Sequence, residues 1–187
     1  KIGVASTLIG VCRDSIKHPI YQDGYEICEY EKSFSALGTP LSFKLLRQLN
    51  AISKKYDIIH FHSPCLLSLL ASFLIKDKPY IVTYHADITT LPFVYMFYKF
   101  FERLFLKRAS AIIVTSPQYL ETSAPLKKFK DKTRVITIGV EFQNTVIKDF
   151  NVLPKNSDLQ LPENFFLFLG ANRNYKGLDT IANVALK

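Results

Sequence analysis

The chain has 187 residues, enough for one well-packed domain and part of another, and its hydrophobic content of 48% predicts a globular protein rather than a disordered one. Its three cysteines are widely spaced and form no Cys-x-x-Cys pair, which favours reduced thiols in a cytoplasmic protein over a disulfide-rich secreted one. The net charge of +8 indicates an anionic partner, and no apolar stretch reaches the roughly 20 residues that span a bilayer.

Short apolar or β-branched runs alternate with helical patterns along most of the chain. The predicted strands are 2–9, 26–30, 57–61, 80–84, 111–115 and 134–138, and the predicted helices are 41–54, 66–75, 93–107 and 117–126. Continuous apolarity is typical of strands that are buried on both faces. The alternation therefore predicts an α/β fold with a doubly wound, parallel sheet of the Rossmann-like kind.

A change of composition divides the chain near its last quarter. The pattern fades after Gly139 into a polar stretch with prolines, which we interpret as a linker over 144–163. It would separate an N-terminal domain (1–143) from the start of a second Rossmann-like domain (164–187), which opens with a strand at 165–169. Because the chain begins at Lys1 rather than Met and stops at Lys187 inside a helical pattern, we expect a fragment.

Polar residues lie at the carboxyl ends of the predicted strands, where open parallel sheets bind their ligands. His62 follows the third strand, His85 and Asp87 follow the fourth, and Ser116 follows the fifth. We therefore expect these side chains to meet along one rim. Asp87 could orient His85, accept a hydrogen bond from a sugar hydroxyl or cap a helix, and Ser116 has the pattern of a helix N-cap.

A glycine turn with two cations follows the 165–169 run. Gly170, Arg173 and Lys176 precede the helical pattern that begins after Gly177. A helix N-terminus offers unpaired N–H groups and a partial positive charge, and Arg and Lys neutralise phosphate oxygens, so this turn can hold a diphosphate. An ordinary strand-to-helix loop with solvated cations would contain the same residues.

A basic and aromatic stretch occupies the middle of the chain. Residues 90–148 contain ten Lys or Arg against four Asp or Glu. The cations of 93–108 are interleaved with Phe and Tyr, and five more cations follow in 127–134. This combination suggests contact with an anionic ligand or membrane surface, although burial against the sheet would explain many of the aromatic residues.

Four segments resemble, in the same order, landmarks of the family 4 retaining nucleotide-sugar glycosyltransferases, which have the two-domain GT-B fold. The segments are 57–64 (DIIHFHSP), 82–88 (VTYHADI), 109–117 with 135–141, and 168–178 (FLGANRNYKGL). The chain shows no Walker loop, no zinc-binding spacing and no Asp-x-Asp pair. The resemblance covers most of the chain from Asp57 onward.

The resemblance implies transfer of a hexose, with retained configuration, from a GDP- or UDP-linked sugar to a lipid-linked or saccharide acceptor in surface polysaccharide biosynthesis, including lipopolysaccharide. It places His85 at the transferred sugar as the catalytic residue. It assigns Gly170, Arg173 and Lys176 to the donor diphosphate, and it places His62, Asp87 and Ser116 on the acceptor or sugar side.

The resemblance also implies a metal-independent enzyme without a cofactor and without a nucleic-acid partner. The protein would be cytoplasmic, or peripheral on the inner face of the membrane through 93–108 and 127–134. The paired glutamates that grip the donor are expected beyond Lys187, so this chain alone is expected to be inactive.

Two other functions remain open from the residues. A metal-dependent hydrolase could use three imidazoles and a carboxylate, namely His60, His62, His85 and Asp87. His60 alone is more simply a core or edge histidine. A non-catalytic basic module that binds anionic lipid or RNA is the second alternative, and its binding would depend strongly on salt.

Overall fold

A computed structural model describes residues 3–13, 19–22, 24–36, 38–88, 92–139, 167–170 and 176–185. The strands are β1 (Thr7–Cys12), β2 (Ile20–Gln22), β3 (Tyr25–Glu31), β4 (Phe34–Ala36), β5 (Thr39–Leu41), β6 (Ile59–Ser63), β7 (Tyr80–Tyr84), β8 (Ala111–Val114) and β9 (Thr133–Val135). The helices are α1 (Phe43–Ser53), α2 (Leu66–Leu74), α3 (Pro92–Arg108), α4 (Pro117–Thr122) and α5 (Leu178–Ala185). Two 3-10 turns, Leu126–Lys128 and Lys130–Lys132, lie between α4 and β9. The chain divides into two compact units, Lys1–Val140 and Glu141–Lys187.

The centre of the first unit is a four-stranded parallel sheet. Its strands lie side by side in the order β6-β7-β8-β9, and a helix follows each of the first three. Parallel neighbours need such crossover connections. The predicted α/β fold with a parallel sheet is therefore confirmed.

The core lies between this sheet and the helices that follow its strands. Its fully buried side chains include Val82, Tyr84, Leu106, Ile112, Val114 and Leu126. Helix α2 has the sequence LLSLLASFL, which is apolar on nearly every side and typical of a buried helix.

Two cations fasten helix ends within this unit. The Arg108 guanidinium, at the end of α3, donates to the carbonyl oxygens of Ser72 (3.1 Å) and Ile75 (3.2 Å) at the end of α2. The Lys132 ammonium in turn donates to the carbonyls of Lys107 and Ala109, both at 2.8 Å. Each cation satisfies carbonyls that a helix C-terminus leaves without intrahelical partners.

The first two predicted strands do not belong to the same sheet as the others in the described part of the chain. β1 and β3 pair in parallel and β2 joins β3 antiparallel, forming a separate three-stranded sheet, while β4 and β5 form a hairpin. The β3 sequence YEICEYE carries three carboxylates and is only half-buried. Such a strand lacks the continuous apolarity of a strand covered on both faces.

Several predicted bounds also need correction. The first strand begins at Thr7 rather than at residue 2, because Gly3 has a φ of +68°, which an extended strand does not allow. The predicted strand 57–61 runs from Ile59 to Ser63, so His62 lies inside it rather than after it. The predicted helix 117–126 ends at Thr122, since Pro125 disfavours helical backbone at the residue before it.

The second unit contains one regular element among its described residues, α5, which begins directly after Gly177 as predicted. Residues 167–169 of the predicted strand 165–169 are described but form no strand, and Leu167 and Leu169 are exposed. Among the described residues of this unit they have no neighbouring strand, and a strand without a paired neighbour has no hydrogen-bond ladder. The predicted linker 144–163 lies outside the described residues, and the predicted domain bounds stay a prediction.

Candidate active site

The register of β6 against β7 brings three histidines to one face of the sheet. His60 lies opposite Ile81 and His62 opposite Thr83. Side chains two residues apart on a strand point to the same face, so His60 and His62 share it. The backbone N–H of His85 donates to the Ser63 carbonyl at 2.8 Å, which extends the ladder one residue beyond β7.

The three imidazole rings form a stacked row. Nδ1 of His62 lies 2.8 Å from Nε2 of His85, and these two rings are nearly parallel, at 8° and 5.2 Å between centroids. His60 stacks on the other side of His62 at 4.8 Å, and its Nε2 lies 2.7 Å from the hydroxyl of Thr83. The row confirms that His62 and His85 meet, and it gives His60 the partner expected of a satisfied edge histidine.

The hydrogen bond between His62 and His85 restricts their protonation. One ring must donate and the other accept, so one proton occupies the contact. Burial lowers the pKa of His62, and the neighbouring His85 lowers it further. Burial also lowers the pKa of His60, with smaller effects from His62 and His85. At neutral pH, His60 and His62 are therefore uncharged, and His62 sets the ring orientation of His85.

Asp87 is held by α4 and the residue after it. Its Oδ1 accepts hydrogen bonds from the Tyr119 hydroxyl at 2.6 Å and the Ser123 hydroxyl at 2.7 Å. Within the described residues, the hydrogen-bond partner of the His85 ring is His62 and not Asp87. The carboxylate thus connects the end of β7 to α4, and its second oxygen keeps lone pairs that could accept from a sugar hydroxyl.

Ser116 forms the N-cap of α4. Its Oγ accepts a hydrogen bond from the Tyr119 backbone N–H at 3.2 Å, and Pro117 occupies the first helical turn. Both features are preferred at a helix N-terminus. The capping interpretation is confirmed, and the sugar-side role of Ser116 stays a prediction.

A buried pair beneath this rim was not anticipated from the sequence. The Tyr84 hydroxyl donates to Oε1 of Glu102 at 2.8 Å, and both residues are almost completely buried. Burial raises the pKa of Glu102 to about 7, which the hydrogen bond from Tyr84 partly opposes. The available signal was a glutamate inside the aromatic run FFERLF, where an unpaired charge would be costly.

The residues predicted to bind the donor diphosphate lie in the second unit. Gly170 and Lys176 are exposed, and Gly177 has a φ of +69°, a left-handed conformation that glycine adopts without steric cost. This glycine permits the turn that leads into α5. Arg173 lies outside the described residues, so the diphosphate-binding turn stays a prediction.

In the described parts of the chain, no three His, Cys, Asp or Glu side chains are arranged to hold a metal ion. The set proposed for a hydrolase, His60, His62, His85 and Asp87, is thus not assembled as a metal site. Among the helices of these segments, none is both long and apolar enough to cross a membrane.

Comparison with known proteins decides the family. The model of Glycosyltransferase Family 4 matches residues 11–144. The chain belongs to Glycosyltransferase Family 4. The match includes segments 57–64, 82–88 and 109–117, and therefore the histidine row and both strands that carry it. The family resemblance found in the sequence is confirmed.

This family 4 chain is similar to two curated bacterial proteins. It is 32% identical over 184 residues to O-antigen chain mannosyltransferase C of Escherichia coli. The aligned region covers 98% of this chain and 49% of that protein. It is also 34% identical over 149 residues to D-rhamnosyltransferase WbpZ of Pseudomonas aeruginosa, and this alignment covers 76% of this chain and 38% of that protein. The chain thus spans about half, or less, of the length of these relatives.

Among solved structures, a sucrose-phosphate synthase from Thermosynechococcus elongatus aligns with 72% of the family 4 chain and 90% of its own. The TM-score is 0.39 and the sequence identity is 16%. A likeness at this level adds nothing to the assignment, which rests on the family match and the two relatives.

Proposed function

We propose that the protein containing this chain is a retaining glycosyltransferase of surface polysaccharide biosynthesis. It would move a hexose from a GDP- or UDP-linked sugar to a lipid-linked or saccharide acceptor. Family membership supports this activity, and the two relatives are named for mannosyl and rhamnosyl transfer. The observation that carries the proposal is the pair of His62 and His85 at the carboxyl edge of the parallel sheet.

The chemistry of the pair suits recognition of a sugar. With Nε2 of His85 engaged by His62, the remaining ring nitrogen Nδ1 can form one hydrogen bond to a hydroxyl. Contact with His62 holds the ring orientation before the substrate arrives, which lowers the entropic cost of reaching the reactive geometry. In this proposal His85 contacts the transferred sugar, His62 orients it, and Asp87 and Ser116 lie toward the acceptor.

The donor diphosphate is assigned to the turn before α5. Gly170, Arg173 and Lys176 would bind its oxygens and stabilise the negative charge that develops on the leaving nucleotide, without a metal ion. Replacing both cations with alanine should weaken donor binding far more than acceptor binding. The protein would act at the cytoplasmic face of the inner membrane, where a lipid-linked acceptor would be available.

The test is release of nucleoside diphosphate by the whole natural polypeptide from a panel of GDP- and UDP-sugars. Reactions contain membrane lipid extract or a soluble saccharide acceptor, with and without chelator. We expect release from one donor, unchanged by chelator. A folded protein that releases nothing from any donor contradicts the proposed function, and release that chelator abolishes contradicts its metal independence.

A further inference from the structure

One oxygen of the Asp87 carboxylate accepts two hydrogen bonds from the end of a single helix. The Tyr119 hydroxyl donates to Oδ1 at 2.6 Å, and the Ser123 hydroxyl donates to the same atom at 2.7 Å. A carboxylate turns easily about its last side-chain torsion, which has broad minima. Two donors on one oxygen restrict that turn, so they also fix the direction of the second oxygen, Oδ2.

Both donors are held by contacts of their own. Ser123 is 1% exposed, and its backbone N–H donates to the Tyr119 carbonyl at 3.0 Å. The Tyr119 ring stacks on the buried Tyr84 ring, at 6.2 Å between centroids and an angle of 16°, and Tyr84 in turn donates to Glu102. Burial raises the pKa of the Tyr119 hydroxyl, and the hydrogen bond to Asp87 raises it further, so the phenol keeps its proton and donates at neutral pH.

The chain connection places Asp87 beside the histidine row. Asp87 follows His85 by two residues, which limits the separation of their Cα atoms to about 7 Å. Among the described residues, both hydrogen bonds to the carboxylate end on Oδ1, so Oδ2 keeps lone pairs for a donor from outside this network. The reacting group of a sugar acceptor is a hydroxyl, which donates. The chemistry of Oδ2 therefore fits that hydroxyl.

We propose that Tyr119 and Ser123 are positioning residues that hold Oδ2 of Asp87 toward the reacting hydroxyl of the acceptor. They act through Asp87 and contact neither substrate. The inference rests on the proposed function, which places Asp87 on the acceptor side, and it adds the residues that orient the carboxylate there. If the same hydrogen bonds served only to join the end of β7 to α4, their loss would lower stability and leave the use of acceptor unchanged.

The test compares acceptor use with donor use in the whole natural polypeptide. Release of nucleoside diphosphate is measured without acceptor, and with increasing amounts of membrane lipid extract or soluble saccharide. We expect Tyr119→Phe and Ser123→Ala each to lower kcat/KM for the acceptor on the order of 10-fold, with unchanged donor KM and unchanged release into water. Adding Tyr119→Phe to Asp87→Ala should cause no further loss, because both changes remove the same interaction.

Two matched controls remove a nearby hydroxyl that does not bond to Asp87. Thr122→Ala removes a hydroxyl that donates to the Gln118 carbonyl within α4. Tyr84→Phe removes the hydroxyl that donates to Glu102, on the other ring of the tyrosine stack. Both controls should keep the wild-type kcat/KM for the acceptor, and Tyr84→Phe should lose stability, so it separates a loss of stability from a loss of positioning.

Unchanged acceptor kinetics in folded Tyr119→Phe and Ser123→Ala would overturn the positioning role. An equal loss in Tyr84→Phe, or a further loss when Tyr119→Phe is added to Asp87→Ala, would overturn it too. If Tyr119→Phe does not fold, the smaller change Ser123→Ala decides. A wild type that releases nothing from any donor contradicts the proposed function and the positioning role together, whereas equal acceptor-dependent release by the wild type and both variants contradicts the positioning role alone.

Discussion

The histidine row and the exposed side of α3 differ in how far the described part of the chain satisfies their side chains. At the row, polar side chains on β6 and β7 satisfy one another: His60 contacts Thr83, and His62 contacts His85. On α3, Met96, Phe97 and Phe100 are 64%, 70% and 63% exposed in the described part of the chain, while Phe101 packs edge-to-face on Phe73 of α2. The first region is organised by contacts within the sheet, whereas the second presents apolar side chains to solvent.

The largest effect is expected at His85, in the histidine row. We expect His85→Ala to lower turnover by roughly 100-fold or more, because the variant loses the ring that contacts the transferred sugar in the proposed function. The melting temperature should change little, since this side chain is exposed. The measurement is steady-state kinetics, with the donor that the nucleotide-release assay selects, together with a thermal melt.

His60→Ala is the matched control for that variant, because His60 lies in the same stacked row but bonds to Thr83. It should retain most of the turnover. If the two variants lose equal activity, the row acts as a packing unit and the assignment of His85 to the sugar is wrong. Wild-type turnover in a folded His85→Ala variant would also remove that role.

Glu102 sharpens the comparison, because it lies beneath the rim and beside the α3 cations. Its pKa is raised to about 7 in the folded protein from an ordinary value of 4.5, so the folded state holds a proton that the unfolded state releases. Stability should therefore fall as pH rises between these two values, by roughly 3 kcal/mol at most. Glu102→Gln removes this titration and can still accept from Tyr84.

Urea unfolding at pH 5 and pH 8 measures this effect. The wild type should lose stability relative to Glu102→Gln between the two values, whereas Glu121→Gln, at an exposed position on α4, should follow the wild type. His60 and His62 act in the opposite direction, since their lowered pKa values reduce stability below about pH 6.5. A constant difference between wild type and Glu102→Gln would contradict the raised pKa.

The smallest expected effect is at Ser116, which caps α4 near the rim. Ser116→Ala should cost about 1 kcal/mol of stability, the usual loss when an N-cap hydroxyl is removed. Chemical denaturation measures it, with Ser110→Ala as an exposed serine control. An additional fall in kcat/KM for the acceptor would support the sugar-side role, and unchanged kcat/KM with lower stability would leave Ser116 as a cap alone.

The sequence predicted the positions that depend on local pattern. β7 has its predicted bounds, α2 ends one residue earlier than predicted, and α3 is one residue longer at each end. The pairing of parallel strand ends brought His62 and His85 together as expected. Family 4 membership followed from the same segments. These features depend on periodicity and on topology, which neighbouring residues encode.

Other features depend on contacts between distant residues. Asp87 accepts hydrogen bonds from hydroxyls 32 and 36 residues further along the chain, and the Tyr84 hydroxyl donates to Glu102, 18 residues further along. The exposed side of α3 was ambiguous, because aromatic residues occupy nearly every side of that helix and period alone does not choose the buried one. Within the strand expected at 165–169, the described residues 167–169 form no strand for a related reason, since apolar sequence alone does not supply a strand neighbour.

Two of the cations in this chain hydrogen-bond to carbonyl oxygens at helix ends, so the formal net charge overstates the positive charge that faces solvent. Arg108 donates to two carbonyls of the α2 end and Lys132 to two carbonyls at the α3 end. Their charge is directed at the protein's own backbone. An anion approaching from solution thus meets a field weaker than the sum of Lys and Arg suggests, and concentrated where lysines such as Lys127 and Lys128 remain exposed. Formal net charge is a property of composition, whereas the potential that attracts a ligand is a property of the fold.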